Sequence, residues 1–258
     1  MYQHIVVDIE KQIALIKLNR PEIRNALVTE MRKELIDVFQ QVNRSKEIRA
    51  VVLTGMGRAF SAGGDLRTLQ GVDAISGRDR LKEGHQVIQA ILNVEKPIIA
   101  AVNGVAAGAG FSLALACDIV YASRSSTFIQ SFAKVGLIPD LGSIHFLTQM
   151  LGPYKAKELM FTGEVLTAGQ AFQLGLVNRV TEEEDLLDQV LVFAEKLSNG
   201  PGLALGLTKK LVNQNVNTML DHTLELEAFA QGLCFETEDF REGVEAFFEK
   251  RLPCFKGR

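Results

Sequence analysis

The chain has no surplus of positive charge, few cysteines and no apolar stretch of membrane length. Its formal net charge is −3, and no run of Lys or Arg forms a stripe, so the electrostatic footprint of a nucleic-acid binder is missing. The three cysteines, Cys117, Cys234 and Cys254, are odd in number and lack metal-like spacing. Reduced thiols in a cytoplasmic protein are the simplest account. The apolar stretches are broken by Lys, Asn, Gly or Asp well short of a bilayer span, so no membrane partner is expected. The first residues alternate as a strand, and no basic segment leads into an apolar one, so no signal peptide is expected. Gly-Lys-Ser/Thr does not follow any glycine-rich turn, and the first strand does not run into Gly-x-Gly-x-x-Gly. This sets aside the P-loop and dinucleotide fingerprints. No serine sits in a nucleophile elbow, which disfavours a serine hydrolase.

What is present is ordinary globular material: 258 residues, 47% hydrophobic and 23% charged. That suits one large domain, or one domain with an appendage. Alternation over 4–8 and 13–18, with Lys11-Gln12 between, predicts an opening hairpin. Thr29 is a plausible N-cap for a helix to about Asn43, with Leu35, Val38, Phe39 and Val42 on its apolar face. Val51-Val52-Leu53 reads as a buried strand, 67–80 as polar and irregular, and roughly 80–92 as a helix. Ile98 to Val102 is the next strand, a helix opens at Gly108-Ala109-Gly110, and Ile119 to Ala122 is a further strand. Strands alternating with helices predict a parallel α/β sheet. From about Thr148 the pattern is nearly all helical, with strong stretches over 185–197, 203–212 and 223–235. A soft boundary falls near residue 195, giving a core of 1–195 and a helical region of 196–258. No internal repeat is visible.

Two glycine-rich turns each follow a buried strand: Phe60-Ser61-Ala62-Gly63-Gly64-Asp65-Leu66, and Val102-Asn103-Gly104 through Gly108-Ala109-Gly110. Small residues allow close backbone approach, and a helix start offers free N–H groups. Side by side, the turns could aim two N–H donors at one oxygen. That is the geometry of an oxyanion hole, where one donor is worth roughly 2.7–4 kcal/mol. Two tight turns without a ligand remain the alternative.

These turns, together with Arg20-Pro21 through Asn25-Ala26-Leu27, Lys96-Pro97, Cys117-Asp118-Ile119 and Thr237-Glu238-Asp239 to Pro253, resemble the crotonase (enoyl-CoA hydratase/isomerase) superfamily along essentially the whole chain. The resemblance implies a ClpP/crotonase-like spiral of ββα units with a C-terminal helical trimerisation region, assembled as homotrimers or dimers of trimers. It implies an acyl-CoA thioester substrate held by the backbone N–H groups of Gly64 and Ala109. The family more often has Gly at the second position; Ala keeps the donor if its φ is negative. The loop Ala62, Gly63, Gly64, Asp65, Leu66, Arg67 should line coenzyme A. Arg24 and Arg67 are candidates for its phosphates and Ala26 for backbone contact with its adenine; solvated surface charge is the other reading of either arginine. No metal or redox cofactor is implied, since coenzyme A arrives as part of the substrate.

The chain departs from the hydratases of that family, which use two glutamates. At those positions, within the substrate pocket, it has Ser112 and Phe132. A phenyl ring cannot transfer protons, and serine alone is a poor general base. A different carboxylate, Asp140, stands in Gly136-Leu137-Ile138-Pro139-Asp140, where several isomerases of the superfamily place their single acid/base. This stretch looks most like the epoxyphenylacetyl-CoA isomerases of phenylacetate breakdown, then the 3-enoyl to 2-enoyl-CoA isomerases. Asp140 as the N-cap of a helix beginning near Leu141 is the alternative. His85, twelve residues before Pro97, lies on the helix that lines the acyl pocket in this family. It matches a histidine of the 4-chlorobenzoyl-CoA dehalogenases, whose pocket uses the tryptophan absent here; a surface histidine is the other reading.

An isomerase with Asp140 as acid/base is therefore the leading expectation. An enoyl-CoA hydratase in fatty-acid or phenylacetate degradation is the alternative, and a non-catalytic acyl-CoA binder the third.

Overall fold

Alternation of apolar and polar residues produces the first two strands, β1 (Ile5–Glu10) and β2 (Ile13–Leu18), paired antiparallel. Lys11 and Gln12 both take left-handed φ, 49° and 65°, so the hairpin closes in two residues with the twist its strands require. The computed structural model describes residues 2–215 and 219–258.

Helix α1 (Thr29–Arg44) follows, then β3 (Ala50–Gly55), β4 (Ala59–Ser61) and α2 (Ala74–Asn93). Next come β5 (Ile98–Val102), β6 (Val105–Ala107) and α3 (Ala109–Leu115), then β7 (Ile119–Ser123), β8 (Thr127–Ile129) and α4 (Ser143–Thr162). The remaining elements are β9 (Val165–Thr167), α5 (Ala168–Gln173), β10 (Arg179–Thr181), α6 (Leu186–Ser198), α7 (Gly202–Gln214), α8 (Leu220–Phe235) and α9 (Glu238–Glu249).

Two sheets result, ordered β1-β2-β3-β5-β7-β10 and β4-β6-β8-β9. Each of the pairs β3/β4, β5/β6 and β7/β8 sends its first strand to the large sheet and its second to the small one. A helix then follows, so the chain winds as a spiral of ββα turns. The turns share geometry but not residues, which is why no repeat is legible in the sequence. β3 is buried on both faces: Val51 and Leu53 join the main core, while Ala50 and Val52 pack with Leu186, Val190 and Ala194 of α6. A strand covered on both sides reads as a continuous apolar run.

Several sequence expectations need correction. Thr29 is not the cap of α1: Val28 is, and the Thr29 hydroxyl instead accepts from Arg32 Nη2 at 3.0 Å. α2 begins at Ala74 rather than near Arg80, because Asp73 and Ser76 form a capping box. The second half is not nearly all helical, since β9 and β10 complete the two sheets; at three residues each, they carry too little alternation to be seen. The soft boundary near residue 195 falls within the last turn of α6, and α7 begins at Gly202. α7 is tied back by a buried ion pair, Lys209 Nζ to Asp118 at 2.9 Å. Asp118 also accepts the Ile98 N–H, and its burial raises its carboxyl above the usual range despite Lys209.

Candidate active site

The two glycine-rich turns do lie in backbone contact. A Cβ on Gly63 would sit 2.5 Å from the Ala107 carbonyl oxygen and 3.0 Å from the Ala109 nitrogen, and one on Gly110 would sit 2.3 Å from the Ser61 carbonyl oxygen. No side chain fits at either place, so glycine is what lets the turns touch. Two asparagine networks, one from the buried Asn25 and one from the half-buried Asn103, hold the surrounding loops. Asn25 Nδ2 donates to the Met56 and Ala59 carbonyls, and Asn103 Nδ2 donates to those of Gly55 and Gly57.

A cavity of about 560 Å³ opens beside the turns. Gly64, Ala109, Phe132 and Asp140 all face it, as do Ala62 and Leu66. Ala109 is the first residue of α3 and is not among the positive-φ residues, so the condition for its amide to serve as a donor is met. The amide N–H groups of Gly64 and Ala109 take no part in the turn hydrogen bonds that fix these loops.

Among the described residues, Asp140 is the only acidic one on the cavity wall. It does not cap α4: the cap is Gly142, with no side-chain hydrogen bond. Two successive left-handed residues, Leu141 (φ 47°) and Gly142 (φ 84°), turn the chain between Asp140 and the helix. Asp140 Oδ1 is buried without a protein hydrogen-bond partner. Burial pushes its carboxyl up to about 6, against the pull of Arg32 and Arg80. A carboxyl poised there can take and return a proton near neutral pH.

Ser112 is fully buried behind this wall rather than on it. Its hydroxyl bonds the Asp140 carbonyl oxygen at 3.0 Å and Ser143 Oγ at 2.6 Å. Ser143 in turn accepts from Gln130 Nε2. The residue read as a pocket position thus pins the backbone that carries Asp140 and is not among the residues that line the cavity. His85 is exposed and does not face the cavity. The helix turn that carries it presents Gly84 inward instead, where a Cβ would meet Leu141 at 2.7 Å.

Arg24 is exposed and Ala26 buried; neither faces the cavity, though their loop borders it through Leu27, whose N–H bonds the Gly63 carbonyl. Gly63 and Asp65 lie in the turn behind the wall. Arg67 is bound by Asp65, with Nε and Nη2 donating to its two oxygens at 3.0 and 2.9 Å. Sequence reasoning missed Arg32 and Arg80, which face the cavity on the Asp140 side. Arg32 left a trace, because it falls on the apolar stripe of α1.

Comparison with known proteins is consistent across the chain. The enoyl-CoA hydratase/isomerase family model matches residues 8–258. The chain is 39% identical over 263 residues to the 1,2-epoxyphenylacetyl-CoA isomerase of Escherichia coli, covering 100% of both. It is 37% identical over 255 residues to the crotonyl-CoA hydratase of Syntrophomonas wolfei, covering 98% of each. A crystal structure of an enoyl-CoA hydratase subunit from Geobacillus kaustophilus is similar at a TM-score of 0.95 and 37% identity, covering 100% of this chain and 99% of that one.

Proposed function

The chain belongs to the enoyl-CoA hydratase/isomerase family, and from that membership we propose that it is an acyl-CoA isomerase in which Asp140 is the single acid/base. The observation that supports this reading is the cavity wall, which Asp140 shares with Gly64 and Ala109 and on which no second acid stands among the described residues.

In this reading the thioester oxygen lies between the N–H groups of Gly64 and Ala109. Asp140 takes a proton from the carbon alpha to the thioester of a 3-enoyl-CoA. The electron pair moves onto the oxygen, where the two donors hold the enolate. Asp140 returns the same proton to the gamma carbon, and the double bond moves to the 2,3 position. One carboxyl suffices, and the step calls for no metal or redox cofactor. The same proton abstraction would serve an epoxyphenylacetyl thioester, the substrate in the name of the Escherichia coli relative. Arg24 and Arg67 are the candidates for the phosphates of coenzyme A, and Ala26 for backbone contact with its adenine. The exposed apolar side chains of α8 and α9, Phe229, Leu233 and Phe247 among them, support self-association as a homotrimer or dimer of trimers.

The test is deuterium exchange at the alpha carbon of acyl-CoA thioesters in D₂O. Asp140→Asn should lower exchange by a factor on the order of 10² to 10⁴, the usual worth of a positioned acid/base, with thioester binding retained. Exchange at the native rate in that variant would overturn the reading. Hydration of crotonyl-CoA is the second reading, favoured by the relatives named hydratases; steady hydration that disappears in Asp140→Asn would support it.

A further inference from the structure

We propose that Arg32 and Arg80 form a recognition site for a carboxylate on the acyl group, so that the substrate is a coenzyme A thioester carrying a second, free acid function. The inference rests on the reading of this cavity as the acyl site.

Arg32 is 6% exposed on α1 and faces the cavity. Its Nη1 donates to the Arg80 carbonyl at 3.1 Å and its Nη2 to Thr29 Oγ1 at 3.0 Å, which fixes the plane of the guanidinium. Its Nε–H is buried and finds no protein acceptor. Among the described residues no carboxylate lies within ion-pair distance of either arginine. A buried cation without a counter-ion is expensive, and proteins rarely keep one. Burial accordingly pulls the Arg32 guanidinium below its ordinary range, although Glu83, Asp140 and Glu30 oppose this.

Arg80 enters the same wall from α2, held by one bond from Nη2 to Thr68 Oγ1 at 2.7 Å. Asp140 supplies one negative charge against these two positive ones and that of Lys134 on the same wall, and none at all when protonated. Most of the remaining wall is aliphatic, with Leu66, Leu69, Val72, Leu81 and Leu141 among its residues. A plain alkyl chain would match those residues and leave the two guanidinium groups without an opposing charge. A carboxylate in the cavity would supply that charge to Arg32 and Arg80 through charge-assisted bonds. Arg32 also acts at a distance on Asp140, but a residue serving only that purpose would sit in direct contact with it.

The test compares two saturated thioesters of equal length, hexanoyl-CoA and adipoyl-CoA, and a short series of homologous pairs. Dissociation constants are measured calorimetrically on the native protein and on Arg32→Met and Arg80→Gln. Native protein should bind the acid-bearing member of the best pair at least about tenfold tighter, the worth of one charge-assisted hydrogen bond. Arg32→Met should erase that preference while holding hexanoyl-CoA within about threefold, and Arg80→Gln should reduce it. Equal or weaker binding of the acid-bearing member in every native pair would overturn the proposal without any variant having to fold. A preference that survives both substitutions would overturn it too. Alpha-proton exchange on the corresponding 3-enoyl thioesters separates the two ideas. A preference without exchange would sink the isomerase reading and leave the arginine site standing; exchange without preference would do the reverse.

Discussion

At the residue scale, the proposed chemistry comes down to one carboxyl group and its surroundings. If Asp140 is the base, as proposed, it acts only when ionised, so kcat/KM should rise with pH through about 6 and then level off. The same shift bears on stability. The folded protein holds the Asp140 proton more tightly than the unfolded chain does. The stability this brings is full below the ordinary aspartate pKa and is lost as pH rises through about 6. The loss is at most about 3 kcal/mol. Asp140→Asn should therefore melt higher than native protein at pH 8, with the difference vanishing near pH 4. A melting difference independent of pH would show that burial is not what raises the group. Asp140 itself was legible as an acid in an apolar stretch, but its competing role as a helix cap was not excluded by the sequence. Only the left-handed pair Leu141 and Gly142 removes it from the helix end.

At the scale of elements, the site depends on two turns from different strands touching through their backbones. Gly63 has φ 86° and its missing Cβ leaves room for the Ala107 carbonyl. Gly63→Ala combines a disfavoured φ with a clash against backbone, and should cost at least about 2 kcal/mol. It should also shift the Gly64 amide and reduce alpha-proton exchange more than it reduces thioester binding. Thermal melting and exchange in D₂O measure the two effects, and native-like exchange would mean that the turns need not touch. The strand-turn-helix order around both glycine clusters was readable. The start of α2 was not, because its capping box is built from Asp73 and Ser76 in a segment without apolar periodicity. That segment carries Arg80, so the cationic wall of the cavity was hidden with it.

At the scale of the whole molecule, the spiral leaves a C-terminal pair of helices with little core of its own. α8 has no buried residue, while Leu224, Phe229 and Leu233 on it are exposed, as are Phe247 and Phe248 on α9. An apolar surface of this kind is what the proposed homotrimer or dimer of trimers would cover. Light scattering should give a mass of three or six chains for native protein. Phe229→Glu should shift it toward one chain, since burying a charge in an apolar interface is strongly unfavourable. A native monomer would overturn the assignment.

The sequence by itself determined the periodic elements, the two glycine turns and the lone aspartate after Pro139, because each depends on neighbours a few residues away. Its motifs also pointed to the fold. What it could not decide were the relations between distant segments. Ser112 turned out to brace the Asp140 backbone from behind the wall, His85 turned outward, and Arg32 turned inward to join Arg80 beside Asp140. A helical residue's neighbours in sequence fix which stripe it occupies. What that stripe meets is fixed only when α1, α2 and the loop before α4 pack together, and that packing makes one serine structural and one arginine part of the cavity.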